Sequence, residues 1–174
     1  MELSKPHNLE LSSEISNSKG TEREDDRSLY YSYMFQTSRD FISQAELESA
    51  EYYESKDDEL QNEESASIEQ LNSRIRSLIL SSISILESLC APNIPDQIEA
   101  LARWELARVY KDWFGEFEEQ ERNIQRSILL SPKGPDYTYS NLKMELSLID
   151  LYIKNDRYSL AENRLGVIMK EAKS

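Results

Sequence analysis

The sequence predicts an all-α protein, and three observations support that class. The 174 residues include only four glycines and five prolines, whereas Glu, Leu, Ser and Ile are abundant, which favours helix over sheet. Apolar residues recur at intervals of three and four along several long stretches, which is the period of an amphipathic helix. Turns that contain proline or glycine separate some of these stretches. We therefore expect a set of helices joined by short connections.

The acidic residues are concentrated in the N-terminal third of the chain. The net charge is −13, and counting gives 17 acidic and 6 basic side chains over residues 1–66 against 16 and 14 over residues 67–174. Hydrophobic residues make up 39% of the chain, below the roughly 45–50% of compact domains, so a disordered portion is expected. We predict a disordered tail over residues 1–27, because few large apolar side chains there offset the entropy of ordering.

Residues 28–66 are predicted to form an amphipathic helix followed by an acidic linker. From Ser28 to Tyr53 apolar side chains recur at three and four. Residues 54–66, ESKDDELQNEESA, carry six acidic side chains against one lysine. Two interpretations of this linker stay open: a solvated spacer, or a mobile polyanion that screens a basic groove.

The clearest helix is predicted from Ser67 to Leu89. Its apolar surface is wider than a coiled-coil seam, so we expect it to be buried from several sides. The sequence APNIP at residues 91–95 ends it, and Asp96 is expected to cap the helix that follows. Four more helices complete the set, over Ile98–Tyr110, Phe117–Leu130, Asn141–Lys154 and Tyr158–Lys173.

The most regular pattern lies in residues 101–132. Leu106, Ala107 and Tyr110 fall on one helical face. Gly115 is the expected end of that helix, because a left-handed conformation costs glycine least. Pro132 cannot continue a helix, so the second helix of this segment should end near Ser131.

This segment resembles a tetratricopeptide repeat (TPR), the helix-turn-helix unit with a leucine, a small residue, a tyrosine three residues on, a glycine turn and a closing proline. It departs from the family pattern in a turn one residue longer, and in Gln120 where the family usually has alanine. A second copy follows in the same order, with 41 residues from Phe117 to Tyr158 instead of the usual 34. The extra length lies in the loop KGPDYTY, residues 133–139.

The resemblance implies a short right-handed superhelix of antiparallel helix pairs. We assign the TPR-like helical domain to residues 67–174, after the acidic N-terminal region. In the repeat family, the first helix of each pair carries the residues that face a partner. By position, the candidate protein-binding residues of this chain are Arg103, Arg108, Lys111, Lys143, Asp150 and Lys154.

Five of those six residues are basic, so they favour an acidic or C-terminal-carboxylate peptide as ligand. The alternative interpretation is that they are ordinary solvated charges on a short solenoid. Trp113, beside the lengthened turn, is a possible interface anchor, since tryptophan is enriched at binding hot spots. Trp104 is expected to be a core residue.

No arrangement typical of catalysis occurs in the sequence. The single histidine, His7, lies in the predicted tail, and the single cysteine, Cys90, is interpreted as a small apolar residue. The chain has no CxxC motif, no paired histidines and no glycine-rich phosphate loop. We therefore predict that the protein is not an enzyme and needs no cofactor or metal.

The sequence also limits the classes of partner. The acidic chain disfavours direct nucleic-acid binding. No run of about 18 apolar residues predicts a membrane helix, and the N-terminus lacks the apolar core of a signal peptide. We expect an intracellular protein, nuclear or cytoplasmic. The predicted function is a protein–protein interaction module, a scaffold or adaptor subunit of a stable complex. The alternative is an acidic chaperone that escorts a basic client such as a histone or ribosomal protein.

Overall fold

The computed structural model describes residues 10–55, 64–131 and 139–171. These residues form six α-helices and contain no β-strand, which confirms the all-α prediction. No described helix is both long and apolar enough to cross a bilayer. The helices are α1 Glu10–Ser55, α2 Glu64–Ser88, α3 Asp96–Val109, α4 Phe117–Leu130, α5 Tyr139–Lys154 and α6 Tyr158–Glu171, with a π-helical turn at Tyr110–Phe114 between α3 and α4.

The helix limits agree with the sequence patterns at α4 and differ at one or both ends of each of the other helices, most at α1. Helix α4 begins and ends at the predicted residues. Helix α1 begins at Glu10, so residues 10–27 continue a helix where a disordered tail was predicted. Extending an existing helix by a residue costs far less than nucleating one, which is why a polar segment can remain helical. The rest of that tail, residues 1–9, and most of the acidic linker, residues 56–63, lie outside the described residues.

Asp96 does not cap α3 as predicted. The N-cap position is occupied by Pro95 and makes no side-chain hydrogen bond, and Asp96 is the first residue of the helix. A carboxylate in the first turn still interacts favourably with the helix dipole. Cys90, expected to be a small apolar residue, is half-buried against the core, and burial raises the pKa of its thiol.

Successive helices pack in antiparallel pairs. In the first pair, the Ser38 and Ser82 hydroxyls meet 2.8 Å apart in the buried contact of α1 with α2. Helix α3 pairs with α4, α5 pairs with α6, and α2 and α4 each also contact the helix that follows. The first helices of neighbouring pairs are also adjacent, since Arg39 of α1 reaches Glu105 of α3 at 3.2 Å.

Two clusters of buried side chains form the core. The first joins α1, α2 and α3, and the second joins α3, α4, α5 and α6. Helix α3 therefore contributes to both, with Leu106 facing the first cluster and Ala107 the second. The buried residues of the second cluster are Ala107, Ile124, Leu148, Leu151, Tyr152 and Ala161.

The extra residue of the first turn is absorbed by the π-helical turn. The Gly115 N–H donates to the Tyr110 carbonyl five residues back, at 2.8 Å. Gly115 has φ +67°, which confirms it as the left-handed end of this helix. Because a π turn adds one residue to an α-helix, the spacing between the two copies changes from 42 residues (Leu106 to Leu148) to 41 (Phe117 to Tyr158).

A buried ionic network joins α3 to α4. Glu99 is 94% buried and binds Arg126 through two hydrogen bonds, of 3.1 and 3.3 Å. Arg103 Nε lies 3.4 Å from the same carboxylate, and its Nη1 donates to Asn123 at 3.2 Å. The hydrogen bonds from Arg126 lower the pKa of Glu99 below its ordinary value. The charge of Glu99 is therefore more stable in the folded protein than in the unfolded chain.

We predict that Glu99→Gln lowers the free energy of unfolding by about 1.5–3 kcal/mol at pH 7, the range for hydrogen bonds to charged groups. Since the folded-state pKa is lowered, this contribution is complete above the unfolded-state pKa and is lost as the pH falls through the folded-state value. Urea unfolding of both proteins from pH 7 to pH 3 measures the difference. If the difference in free energy of unfolding between wild type and variant stays constant below about pH 4, the network is contradicted.

A pair of glycine substitutions tests the turn against a matched control. A Cβ at Gly115 or at Gly166 would contact nothing within 4 Å, so only backbone conformation distinguishes them. We expect Gly115→Ala to destabilise the protein by about 1 kcal/mol, because its φ is positive. Gly166→Ala, inside α6, should stabilise it by about 0.5–1 kcal/mol. Two melting temperatures that shift in the same direction would contradict this turn conformation.

Candidate functional site

An open groove lies between α3 and α5, with α4 as its floor. It is the candidate site of the described residues, with a cavity of about 440 Å³. Since α3 and α5 are each antiparallel to α4, they run parallel to each other and form two matching walls. The lining residues are Trp104, Ala107, Arg108 and Lys111 from α3, Gln120 and Ile124 from α4, and Lys143, Ser147, Asp150, Leu151, Lys154 and Asn155 from the α5 side.

Helical spacing places these side chains on one face of each wall. On α3 the lining positions repeat at three and four, and on α5 the positions 143, 147, 150 and 154 do the same. The α5 row extends for about 16 Å at 1.5 Å per residue. The groove is thus long enough for about five residues of an extended peptide.

The groove carries an excess of positive charge. Four cations, Arg108, Lys111, Lys143 and Lys154, face one carboxylate, Asp150. Lys154 Nζ lies 2.7 Å from Asp150, and Arg108 Nη1 lies 3.1 Å from Glu105, both pairs being partly or largely exposed. Exposed pairs of this kind are weak, so they can exchange partners with a ligand.

The remaining two cations have no acidic partner in the described part of the chain. Lys111 and Lys143 are both exposed, and neither forms an ion pair with a described carboxylate. They stand on opposite walls, one on α3 and one on α5. A ligand carboxylate in the groove would therefore meet two lysines whose charge is not already neutralised.

The floor of the groove is apolar except for one amide. Ile124 and Leu151 are buried in the second core, and Trp104 packs against it. Gln120 is 94% buried and reaches the groove, and its carboxamide makes no hydrogen bond to any described residue. Among the described residues only Glu48 Oε2 is both buried and unpaired, so the polar atoms of the Gln120 amide reach solvent in the groove and are available to a ligand. The alanine that tetratricopeptide repeats usually have at this position would offer no polar side-chain atom.

Five of the six candidate residues predicted from the sequence line this groove together. Arg103 does not: its guanidinium points to the interface of α3 with α4, where it binds Glu99 and Asn123. The family resemblance pointed to Arg103 by its position on the helix, but the nearby buried carboxylate of Glu99 determined its orientation. Arg103 therefore joins α3 to α4 and does not line this groove.

Trp113 lies outside this groove. It is half-buried and packs against the first core, and it borders a smaller cavity between α1 and α3. Trp104, expected in the core, is partly buried there and also forms part of the groove floor. Sequence reasoning missed Ser147 and Leu151 as lining residues, although their spacing from Lys143 and Asp150 on α5 is a sufficient signal.

The described residues contain no group of three His, Cys, Asp or Glu side chains placed to hold a metal ion. The raised pKa of Cys90 keeps its thiol protonated at neutral pH. The lone histidine, His7, lies outside the described residues. The chain matches no protein-family model, no curated protein and no solved structure.

Proposed function

We propose that this protein is a non-enzymatic protein-binding module, a scaffold or adaptor subunit of a larger assembly, and that its groove binds an acidic peptide segment of a partner. The observation that carries the proposal is the pair of unneutralised lysines, Lys111 and Lys143, on facing walls of the groove. The antiparallel pairs with adjacent first helices support a TPR-like right-handed superhelix. An intracellular site of action, nuclear or cytoplasmic, is part of the same proposal.

The local charge of the groove selects for acidic ligands although the whole chain is acidic. Screening at physiological salt reduces the field of exposed charges beyond about 8 Å. The four cations of the groove lie within reach of a ligand, whereas most of the negative charge belongs to the N-terminal third. Carboxylates paired with lysine and arginine form charge-assisted hydrogen bonds, which are stronger than neutral ones.

The residues of the groove floor favour an extended peptide as ligand over a small inorganic anion. Gln120 offers both a donor and an acceptor, which is what a peptide unit requires. Trp104 and Ile124 supply apolar area for the aliphatic parts of the ligand. Acidic side chains at alternate positions of the ligand would face the cations, and the backbone between them would face the amide.

We predict that Lys111→Glu combined with Lys143→Glu weakens binding of an acidic peptide at least tenfold, because each change replaces an attraction by a repulsion. The probe is a fluorescein-labelled, amidated octapeptide of Glu and Asp, followed by anisotropy at about 50 and 300 mM salt. Arg76→Glu combined with Lys170→Glu is the matched control, because both residues are exposed cations outside the groove and the pair changes the net charge by the same amount.

Equal losses in the groove double variant and in the control double variant would show that only the total charge matters, and would reject the groove. The same octapeptide with a free C-terminal carboxylate distinguishes side-chain recognition from recognition of a chain end. A basic peptide that binds wild type and groove variant equally well would support the acidic-chaperone alternative instead.

A second prediction concerns the amide of the floor. Gln120→Met keeps the volume of the side chain and removes its polar atoms, so stability should change by less than about 1.5 kcal/mol. Affinity for the acidic octapeptide should fall several-fold, because the ligand loses a hydrogen-bond partner. Unchanged affinity, with unfolding monitored in parallel, would show that Gln120 only fills space.

A further inference from the structure

The two helix pairs α3–α4 and α5–α6 are structurally equivalent copies. Phe117 and Tyr158 each begin the second helix of their pair, and each of those helices has 14 residues. The same positions also link the two helices of each pair. Arg103 binds Asn123 at 3.2 Å in the first copy, and the residues 42 and 41 positions later, Glu145 and Arg164, bind at 2.6 Å in the second.

In the first copy, one face of the pair is covered by α5. The second core forms at this contact, and the buried Ser127 hydroxyl of α4 also lies 2.9 Å from the Met144 sulfur of α5. Phe117 lies 6.5 Å from the Tyr152 ring, centroid to centroid, and Ile124 is only 5% exposed. The residues of the first copy that pack in this core are Trp104, Ala107, Phe117, Ile124 and Ile128.

In the second copy, the equivalent face has no helix against it within the described residues. We call this face the terminal surface; its residues are Leu146, Ile149, Tyr158, Leu165 and Met169. Ile149 is half-buried and also packs against the second core, and the other four are between 45% and 61% exposed. The side chains are as large and apolar as those that α5 covers in the first copy. A contiguous apolar face of this kind is typical of an interaction site.

The second copy also repeats one polar residue that contacts α5 in the first copy. In the first copy, the Tyr152 hydroxyl of α5 donates to Glu121 of α4 at 2.8 Å. The equivalent of Glu121 is Glu162, which is exposed and makes no hydrogen bond to a described residue. The terminal surface thus offers an apolar stripe with one acceptor at its edge, the arrangement that receives α5 in the first copy.

We propose that the terminal surface binds an amphipathic α-helix of a partner protein, seated as α5 is seated on α3–α4. The partner helix carries large apolar side chains at the spacing of Met144, Leu148 and Leu151, and a hydroxyl or amine that donates to Glu162. A second copy of the chain is a poorer occupant, because two molecules of net charge −13 repel each other. This surface shares no residue with the groove, so it goes beyond the proposed function.

The sharpest probe is α5 itself as a peptide. It comprises residues 139–154, acetylated, amidated and labelled with fluorescein, with Leu146→Lys and Ile153→Lys to keep it soluble while leaving its contact face intact. Anisotropy titration with the full-length protein measures affinity, and circular dichroism measures helix formation by the peptide. We expect saturable binding in the micromolar range and a gain of helicity on binding.

Two variants on opposite sides of α6 locate the site. Leu165 lies on the terminal surface, and Leu160 lies about 140° further around the same helix, with similar exposure. Leu165→Glu should weaken binding at least tenfold, because it places a charge in an apolar contact. Leu160→Glu should change it less than twofold. Circular dichroism confirms that both variants are folded, and Met169→Glu serves as the second terminal-surface variant if Leu165→Glu is not.

A double-mutant cycle tests the polar contact. Glu162→Gln and a probe with Tyr152→Phe should each weaken binding several-fold, and the two changes together should weaken it by much less than the product. If the effects of the two changes multiply, Glu162 does not contact the probe hydroxyl and is not part of the binding site. The groove double variant should bind this probe as wild type does, so failure of the groove function and failure of this proposal give different results.

Three outcomes overturn the proposal. The first is no binding of the probe at about 1 mM. The second is equal weakening by Leu165→Glu and Leu160→Glu. The third is a concentration-dependent dimer of the wild type in sedimentation equilibrium that Leu165→Glu abolishes, which would assign the terminal surface to a second copy. Binding that depends on Leu165 and Glu162, by a monomeric protein, supports it.

Discussion

The contact of α4 with α3 on one side and α5 on the other is the constraint on which the rest of the structure depends. Ser127 lies at the point where the three helices meet and is completely buried. Its hydroxyl contacts the Ala100 carbonyl of α3 at 2.7 Å and the Met144 sulfur of α5 at 2.9 Å. A small polar residue there lets both neighbours approach closely, and this places α3 and α5 parallel at the distance that opens the groove.

The polar residues of α3 divide into two groups with different roles. Arg103 is held by Glu99 and Asn123, so its charge is compensated inside the hairpin. Arg108 and Lys111 point to the other side of the helix, where Arg108 pairs with Glu105 and Lys111 has no acidic partner among the described residues. Burial makes the first group costly to disturb and contributes to the pairing of α3 with α4. Exposure leaves the second group free to form new contacts, which is the property that a binding surface requires.

The two helix pairs show how one packing pattern yields two different surfaces. In both copies the second helix presents a row of large apolar residues on the side away from the preceding pair. In the first copy α5 covers this row, and the contact builds the core. In the second copy no described helix does so, and the row remains as exposed apolar area. Differences at single positions, such as Gln120 against Ala161, give the groove a polar floor that the second copy lacks.

The sequence by itself determined the elements whose signals are local. The limits of α4 could be predicted from the local sequence between Phe117 and Ser131, and the left-handed turn from Gly115. Both signals are local because helix periodicity and backbone sterics act within a few residues. The resemblance to the repeat family, carried over by position onto α3 and α5, pointed to five of the groove residues. Only the tertiary structure decided that Arg103 turns inward, that Gln120 reaches the groove, and that the extra turn residue is absorbed in a π turn. Those outcomes depend on Glu99, Asn123 and the neighbouring helices, whose positions are set by packing between residues far apart in the chain.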